Sequence, residues 1–269
     1  MNFSAARLQR ILAEPPVQFR TSEYISRGFK FMNDNFGLLV AFMLVSGVIS
    51  FFCQSMPYVG FILSMAISPV LSVGYSQFIY MVSRGHKADF GEFFKGFTKF
   101  GPLILTYLLM VVISLLALLP GLIVWYKAGM ADWIVEMINA YPLFRDVPNP
   151  AEMVDMSLFW IGLLLMIMGG LGIGLFLVWS LQIAWFYEVG PLEAIDASRK
   201  LIARNWGTIL GFLILSGLIA AGGILLCGFG VLYTAPAMTC AHFFAFADAT
   251  QLLEGDDEDK PDLMDHLIV

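Results

Sequence analysis

The sequence predicts an all-α membrane protein: six transmembrane helices, amphipathic interfacial helices beside them, and two parallel repeats. Three observations carry this expectation. Of 269 residues, 59% are hydrophobic and 13% charged, about half the charged share of a soluble domain. Six stretches of roughly bilayer-spanning length lack any internal Asp, Glu, Lys or Arg. A segment near the N-terminus recurs near the C-terminus. The same composition excludes a disordered chain, and three Cys do not make a disulfide scaffold. A net charge of −6 leaves no basic footprint for nucleic acid.

The expected spans are 36–54, 58–83, 101–126, 157–187, 206–227 and 229–247. Only Gln54 to Pro57 separate the first two, and Cys227 to Gly230 the last two, where Gly228 and Gly230 permit a tight reversal. Both pairs read as transmembrane hairpins. Residues 1–35, mixed and charged, read as a cytoplasmic segment with an interfacial helix and not as a cleavable signal peptide. Residues 36–250 form the membrane domain, and 251–269 an acidic cytoplasmic tail.

Orientation follows from the Lys and Arg residues, which collect on the cytoplasmic side. With the N-terminus inside, all but Lys127 and Arg145 of the fifteen fall on that side. The outer loop 127–156 carries Asp132, Glu136, Asp146, Glu152 and Asp155 instead. An even number of spans returns the C-terminus to the cytoplasm. Tyr58, Tyr80, Trp125, Tyr126, Trp160, Trp185, Tyr187 and Trp206 stand at span ends, as interfacial aromatic belts do.

Offset by 170 positions, Asn35, Gly37, Phe42, Ser46, Gly47 and Ile49 meet Asn205, Gly207, Phe212, Ser216, Gly217 and Ile219. Further on, Pro69 meets Pro236. An even number of intervening spans gives the two hairpins the same sense, about an axis along the membrane normal. Amphipathic stretches precede spans at 23–34, 89–99 and 193–204, each entering through an aromatic and a glycine. In the second, Phe93 and Phe97 oppose Lys95 and Lys99; in the third, Arg199 and Lys200 lie on the polar face. Such helices lie in the headgroup layer or fold as connectors against the bundle. Trp133–Tyr141 is a fourth candidate, with Asp132 as its N-cap.

Few residues invite chemistry. Gly60, Ser64, Ser68, Ser72 and Ser76 form a stripe at steps of four, as do Ala237, Ala241, Ala245 and Ala249. Small residues at that spacing let helices approach closely; a serine-lined path for a solute is the alternative. Glycine-rich span four reads as a hinge or as close helix packing. His242 is an intramembrane imidazole, either bonded across helices or functional. Cys240 two positions earlier points elsewhere, and Cys53 with Cys227 could pair only in an oxidising space. No zinc-protease, redox or phosphate-loop signature is present, so no catalytic, metal or cofactor residue is expected.

The stretch Gly190-Pro191-x-x-Ala194-x-x-x-Ser198-x-x-Leu201-x-x-x-Asn205, followed by an apolar hairpin, resembles a broad group of uncharacterised bacterial polytopic inner-membrane proteins. That group is related to the membrane domain of some glycerophosphodiester phosphodiesterases. The likeness covers residues 188–250, with an echo at 22–80. It implies a six-span protein of the bacterial inner membrane. The soluble catalytic domain of the phosphodiesterases has no counterpart here, so their chemistry does not carry over. The expected role is non-enzymatic, organising membrane lipid or a partner protein through the cytoplasmic helices. A small transporter or lipid-handling permease is the alternative.

Overall fold

The computed structural model describes residues 3–15, 17–56, 58–140, 148–225 and 230–254, all-helical apart from one bridge between Phe3 and Tyr187. The helices are α1 (Ala5–Ala13), α2 (Thr21–Asp34), α3 (Phe36–Gln54), α4 (Val59–Ser83), α5 (Phe100–Lys127), α6 (Met130–Ala140), α7 (Pro150–Met153), α8 (Met156–Leu177), α9 (Ser180–Phe186), α10 (Pro191–Ala203), α11 (Trp206–Gly222) and α12 (Val231–Ala249). A long 3₁₀ helix, Phe90–Lys99, precedes α5. Two compact units result: Met1–Thr106 with Trp179–Val269, and Tyr107–Val178.

Among the described residues, five helical runs are long and apolar enough to cross a membrane: Phe36–Gln54, Val59–Ser83, Phe90–Lys127, Met156–Phe186 and Trp206–Leu225. That is the build of a multi-pass membrane protein. The expected sixth span corresponds to α12, which is not among the five. Its surroundings differ: Ala237, Ala241 and Ala245 are fully covered by protein, whereas α3 and α11 turn Phe51, Phe52, Ile214 and Leu218 outward.

Local chemistry sets the helix boundaries. Ser4 caps α1 by accepting from the Arg7 amide, and Asp155 caps α8 through the Ser157 and Leu158 amides. Asp89 accepts from Gly91 at the head of the 3₁₀ helix. Asp132 is not the N-cap of α6: that helix starts at Met130 behind Gly129, whose φ of +88° suits glycine, so Asp132 lies in the first turn. Tyr141, Arg145, Asp146, Cys227, Gly228 and the tail from Gly255 lie outside the described residues.

In the first unit, each amphipathic element packs along another helix of that unit. The 3₁₀ helix packs on α4, α10 on α9, and α2 on α12. The α2–α12 pair is antiparallel over the whole of α2. Tyr24 Oη donates to Asp248 Oδ2 at one end, and Tyr233 Oη donates to Asn33 Oδ1, 2.6 Å away, at the other. Between them, a Cβ on Gly28 would sit 2.6 Å from the Ala237 carbonyl oxygen. The alanine stripe therefore works as a packing surface. Two aligned helices share one inclination, so α2 cannot lie flat on a bilayer that α12 crosses upright.

Residues 90–99 are tighter than the α-helix expected there. At three residues per turn, Phe90, Phe93 and Gly96 fall on one edge. Gly96 meets the Val70 carbonyl, and Gly74 lies against the Phe93 backbone. Phe93, fully buried, stacks between Phe42 and Phe78.

In the second unit, glycines bring α5 and α8 together. Gly121 lies against the Gly162 carbonyl, and Gly169 against Ala117. Trp125 donates to the Phe159 carbonyl at 3.0 Å and stacks on that ring. Gly172 and Gly174 have no neighbour where a Cβ would stand.

The aromatic set at span ends divides. Tyr58, Tyr126, Trp160 and Trp206 are exposed; Tyr80, Trp185 and Tyr187 are buried in protein.

Candidate functional site

A partly buried polar network forms where α4, the 3₁₀ helix and α9 meet. Ser76, Gln77 and Tyr80 come from α4, Glu92 and Lys95 from the 3₁₀ helix, and Ser180, Gln182 and Trp185 from α9. The close approach of Gly74 and Gly96 brings the first two elements together, and their side chains bond across the seam. Gln77 Nε2 donates to Glu92 Oε2 at 3.2 Å, while Gln77 Oε1 accepts from Trp185 Nε1 at 3.0 Å. Lys95 pairs with the other Glu92 oxygen. Lys99 donates to the Trp185 carbonyl at 3.0 Å and lies over that indole. A mostly buried carboxylate thus has a cation and an amide to hold it.

One turn along from Gln77's neighbour, the network is incomplete. Gln182 Nε2 donates to Ser76 Oγ at 3.3 Å. Among the described residues, Gln182 Oε1, Tyr80 Oη and Ser180 Oγ are buried and find no hydrogen-bond partner. Such atoms cost stability unless water or a ligand meets them. The atoms left over are neutral, two hydroxyls and one amide oxygen. Ser76 Oγ is engaged by an amide, not by a base that could activate it. Among the described residues, no group of three His, Cys, Asp or Glu could hold a metal ion.

The sequence-predicted residues are dispersed. Of the serine stripe, Ser76 is buried in the network, Ser64 is half-buried, and Ser68 and Ser72 face outward. The four do not line one path. His242 Nε2 shares a 2.7 Å hydrogen bond with Ser216 Oγ, and its ring lies against Phe212. The imidazole thus links α12 to α11. Among the described residues, Cys240 and Cys53 are buried with free thiols.

Phe93 is in the core, whereas Phe97 is half-exposed and stacks on Phe100. Arg199 and Lys200 both reach Asp196 at 2.6 Å. The hydrogen bonds from Lys200 and Arg199 hold that carboxyl below the usual range.

Sequence reasoning missed Gln77, Gln182 and Glu92, and it read Trp185 as an interfacial aromatic, whereas its indole donates to Gln77. A signal was available: Gln77 and Gln182 are each the sole Gln of their expected span. A polar amide inside a hydrophobic helix needs a partner.

A second polar centre holds α1 and the turn that follows α12. Arg204 donates to the carbonyls of Ile11, Leu12 and Glu14 at the end of α1. Arg7 donates to Gln251 and Glu254 carbonyls, and Arg84 to that of Leu253, beyond the end of α12. Cations suit helix C-termini. The cavity beside Arg204, Tyr24 and Gln251 measures about 20 Å³, room for about one water.

No family model, curated protein or solved structure matches this chain.

Proposed function

We propose that the chain is a non-enzymatic, six-span protein of the bacterial inner membrane, with both termini cytoplasmic, that organises membrane lipid or a partner protein at its cytoplasmic face. The observation that carries this reading is how the amphipathic elements are built in. Each spends its apolar side on an inner helix, through Met32, Phe93 and Ala194, all fully buried. Lys30, Lys95, Arg199 and Lys200 stay outward. A basic surface held rigidly at an anionic leaflet attracts acidic lipid, at about 1 kcal/mol for each charge.

Chain path supports a sixth crossing. Asn205, at the head of α11, donates to the Val17 carbonyl, and the end of α12 is bound by Arg7 and Arg84. The α11–α12 hairpin returns to the neighbourhood it left, so α12 crosses wherever α11 does. Its lower hydropathy fits a span wrapped by protein. The hairpins α3–α4 and α11–α12 are read as parallel repeats, each preceded by an amphipathic helix. Because α2 shares the tilt of α12, its charged edge of Arg27, Lys30 and Asp34 must meet water. The layer of α2, α11 and α12 is therefore read as inclined, with that edge toward the cytoplasm.

A permease is the second reading, and the unpartnered atoms of Tyr80, Ser180 and Gln182 favour it. Orientation and role are tested separately. Engineered cysteines at Glu136 and Arg199 should be labelled from opposite faces of oriented membrane vesicles, and one at Lys30 from the Arg199 face. Labelling of positions 136 and 199 from one face would overturn the layout. For the role, the purified protein should retain phosphatidylglycerol over phosphatidylcholine in native mass spectrometry, and a K95Q/R199Q/K200Q variant should lose that preference. An unchanged preference would sink the lipid-organising reading.

A further inference from the structure

We propose that the groove between the start of α2 and the middle of α11 seats one phospholipid with an ethanolamine headgroup; this rests on reading α11 as a span. The groove has a volume of about 770 Å³. Arg20, Ser22 and Glu23 supply polar lining, and Phe19, Ile25 and Leu215 supply apolar lining. The two kinds of surface are arranged along the helix. Val17 is held at the head of α11 by Asn205, at 3.2 Å. Leu215 comes nine positions after Trp206, about 13 Å along the helix. The groove opens onto the apolar length of α11 at Leu215, where Ile214 and Leu218 are also exposed. A molecule with a polar head and a hydrocarbon chain matches that gradient. A soluble anion would leave Ile25 and Leu215 uncovered.

Charge selects the headgroup. Arg20 and Glu23 touch at 3.1 Å and are both well exposed, at 60% and 44%. Only one guanidinium nitrogen of Arg20 is used on Glu23, and a guanidinium carries five N–H donors. A lipid phosphate can accept from the others, while a primary ammonium donates to the Glu23 carboxylate. Phosphatidylglycerol offers no cation to Glu23. Phosphatidylcholine has a cation without N–H donors.

The test uses the full chain in nanodiscs of equal parts phosphatidylethanolamine, phosphatidylglycerol and phosphatidylcholine, released into detergent for native mass spectrometry. The wild type should retain one phosphatidylethanolamine in preference to the other two. R20Q and E23Q should each reduce that retention about two- to fivefold, as fits an exposed charge contact. L215W, which sets a bulkier indole at the apolar side of the groove, should reduce it as well. Soluble phosphoethanolamine at matched concentration should not bind; if it displaced the lipid, the site would be one for a free headgroup. Equal retention of all three lipids, or retention unaffected by R20Q, E23Q and L215W, would overturn the proposal. The phosphatidylglycerol signal reports on Lys95, Arg199 and Lys200 separately, so failure of the groove and failure of the basic face are told apart.

Discussion

Gly28 of α2 lies against Ala241 of α12 so closely that a Cβ on the glycine would stand 2.8 Å from both the Ala241 amide nitrogen and its Cβ. Backbone cannot yield there as a flexible side chain would. Gly28→Ala should therefore cost about 1–3 kcal/mol through overpacking, and Gly28→Leu should part α2 from α12. Gly37→Ala is the control, because nothing lies within 4 Å of its added Cβ. Thermal unfolding in detergent should show a lower midpoint for the first two variants and no loss for the third. Equal midpoints for Gly28→Ala and wild type would mean that the helices do not meet at this glycine.

Two phenylalanines of the 3₁₀ helix should respond differently to the same change. Phe93 is fully buried between two rings, whereas Phe97 is 45% exposed. Phe93→Ala should destabilise by about 3–5 kcal/mol, the usual range for a buried aromatic. Phe97→Ala should fold normally and affect only how this element meets its surroundings. Comparable loss of folded protein in size-exclusion profiles of both variants would contradict the packing of Phe93 on Phe42 and Phe78.

Alkaline pH should expose Tyr24. Burial, followed by the hydrogen bond to Asp248, raises its phenol above the usual tyrosine range. A raised value means that the neutral phenol is favoured on folding. Its stabilisation is thus complete below about pH 10, the unfolded value, and is lost as pH climbs toward the folded value. The stability advantage of wild type over Tyr24→Phe should stay constant up to that point and then shrink. An advantage that persists unchanged at higher pH would show that Tyr24 does not titrate in this window.

Arg204 holds the end of α1 through three carbonyls, so its removal should loosen the N-terminal segment before anything else. Hydrogen bonds to a charged group contribute about 1.5–3 kcal/mol. Arg204→Ala should make residues 12–18 a site of early cleavage in limited proteolysis, with the membrane-resistant fragments unchanged. Arg204→Lys, with a single point charge in place of the guanidinium fork, should fall between. A cleavage pattern identical to wild type would deny the clasp.

The contrast between α11 and α12 shows how far the sequence reaches. Both were legible as helices, because apolar runs bounded by Asn205, Gly230 and polar tails leave little else to form. Hydropathy, however, measures the solvent a residue prefers, not the neighbour it has. It runs higher along α11, whose outward side chains are apolar, than along α12, whose Thr234, Thr239, His242 and Asp248 each find partners within the protein. The candidate site was less legible. Ser76 was visible as part of a stripe, but its partner Gln182 is 106 positions away, and no spacing rule connects them.

Sequence alone determined that this chain is helical and apolar, where most of its helices start and stop, and which of their sides carry charge. Those properties depend on the hydrophobic period, caps and glycines within a few residues of one another. Tertiary structure alone decided that Phe93 is core and Phe97 is not, that α2 runs along α12, and that Gln77, Glu92 and Trp185 share a network. Each depends on which distant helix arrives at a given face, and that is set by close packing at Gly28, Gly74 and Gly96, where the absence of a side chain lets two backbones meet.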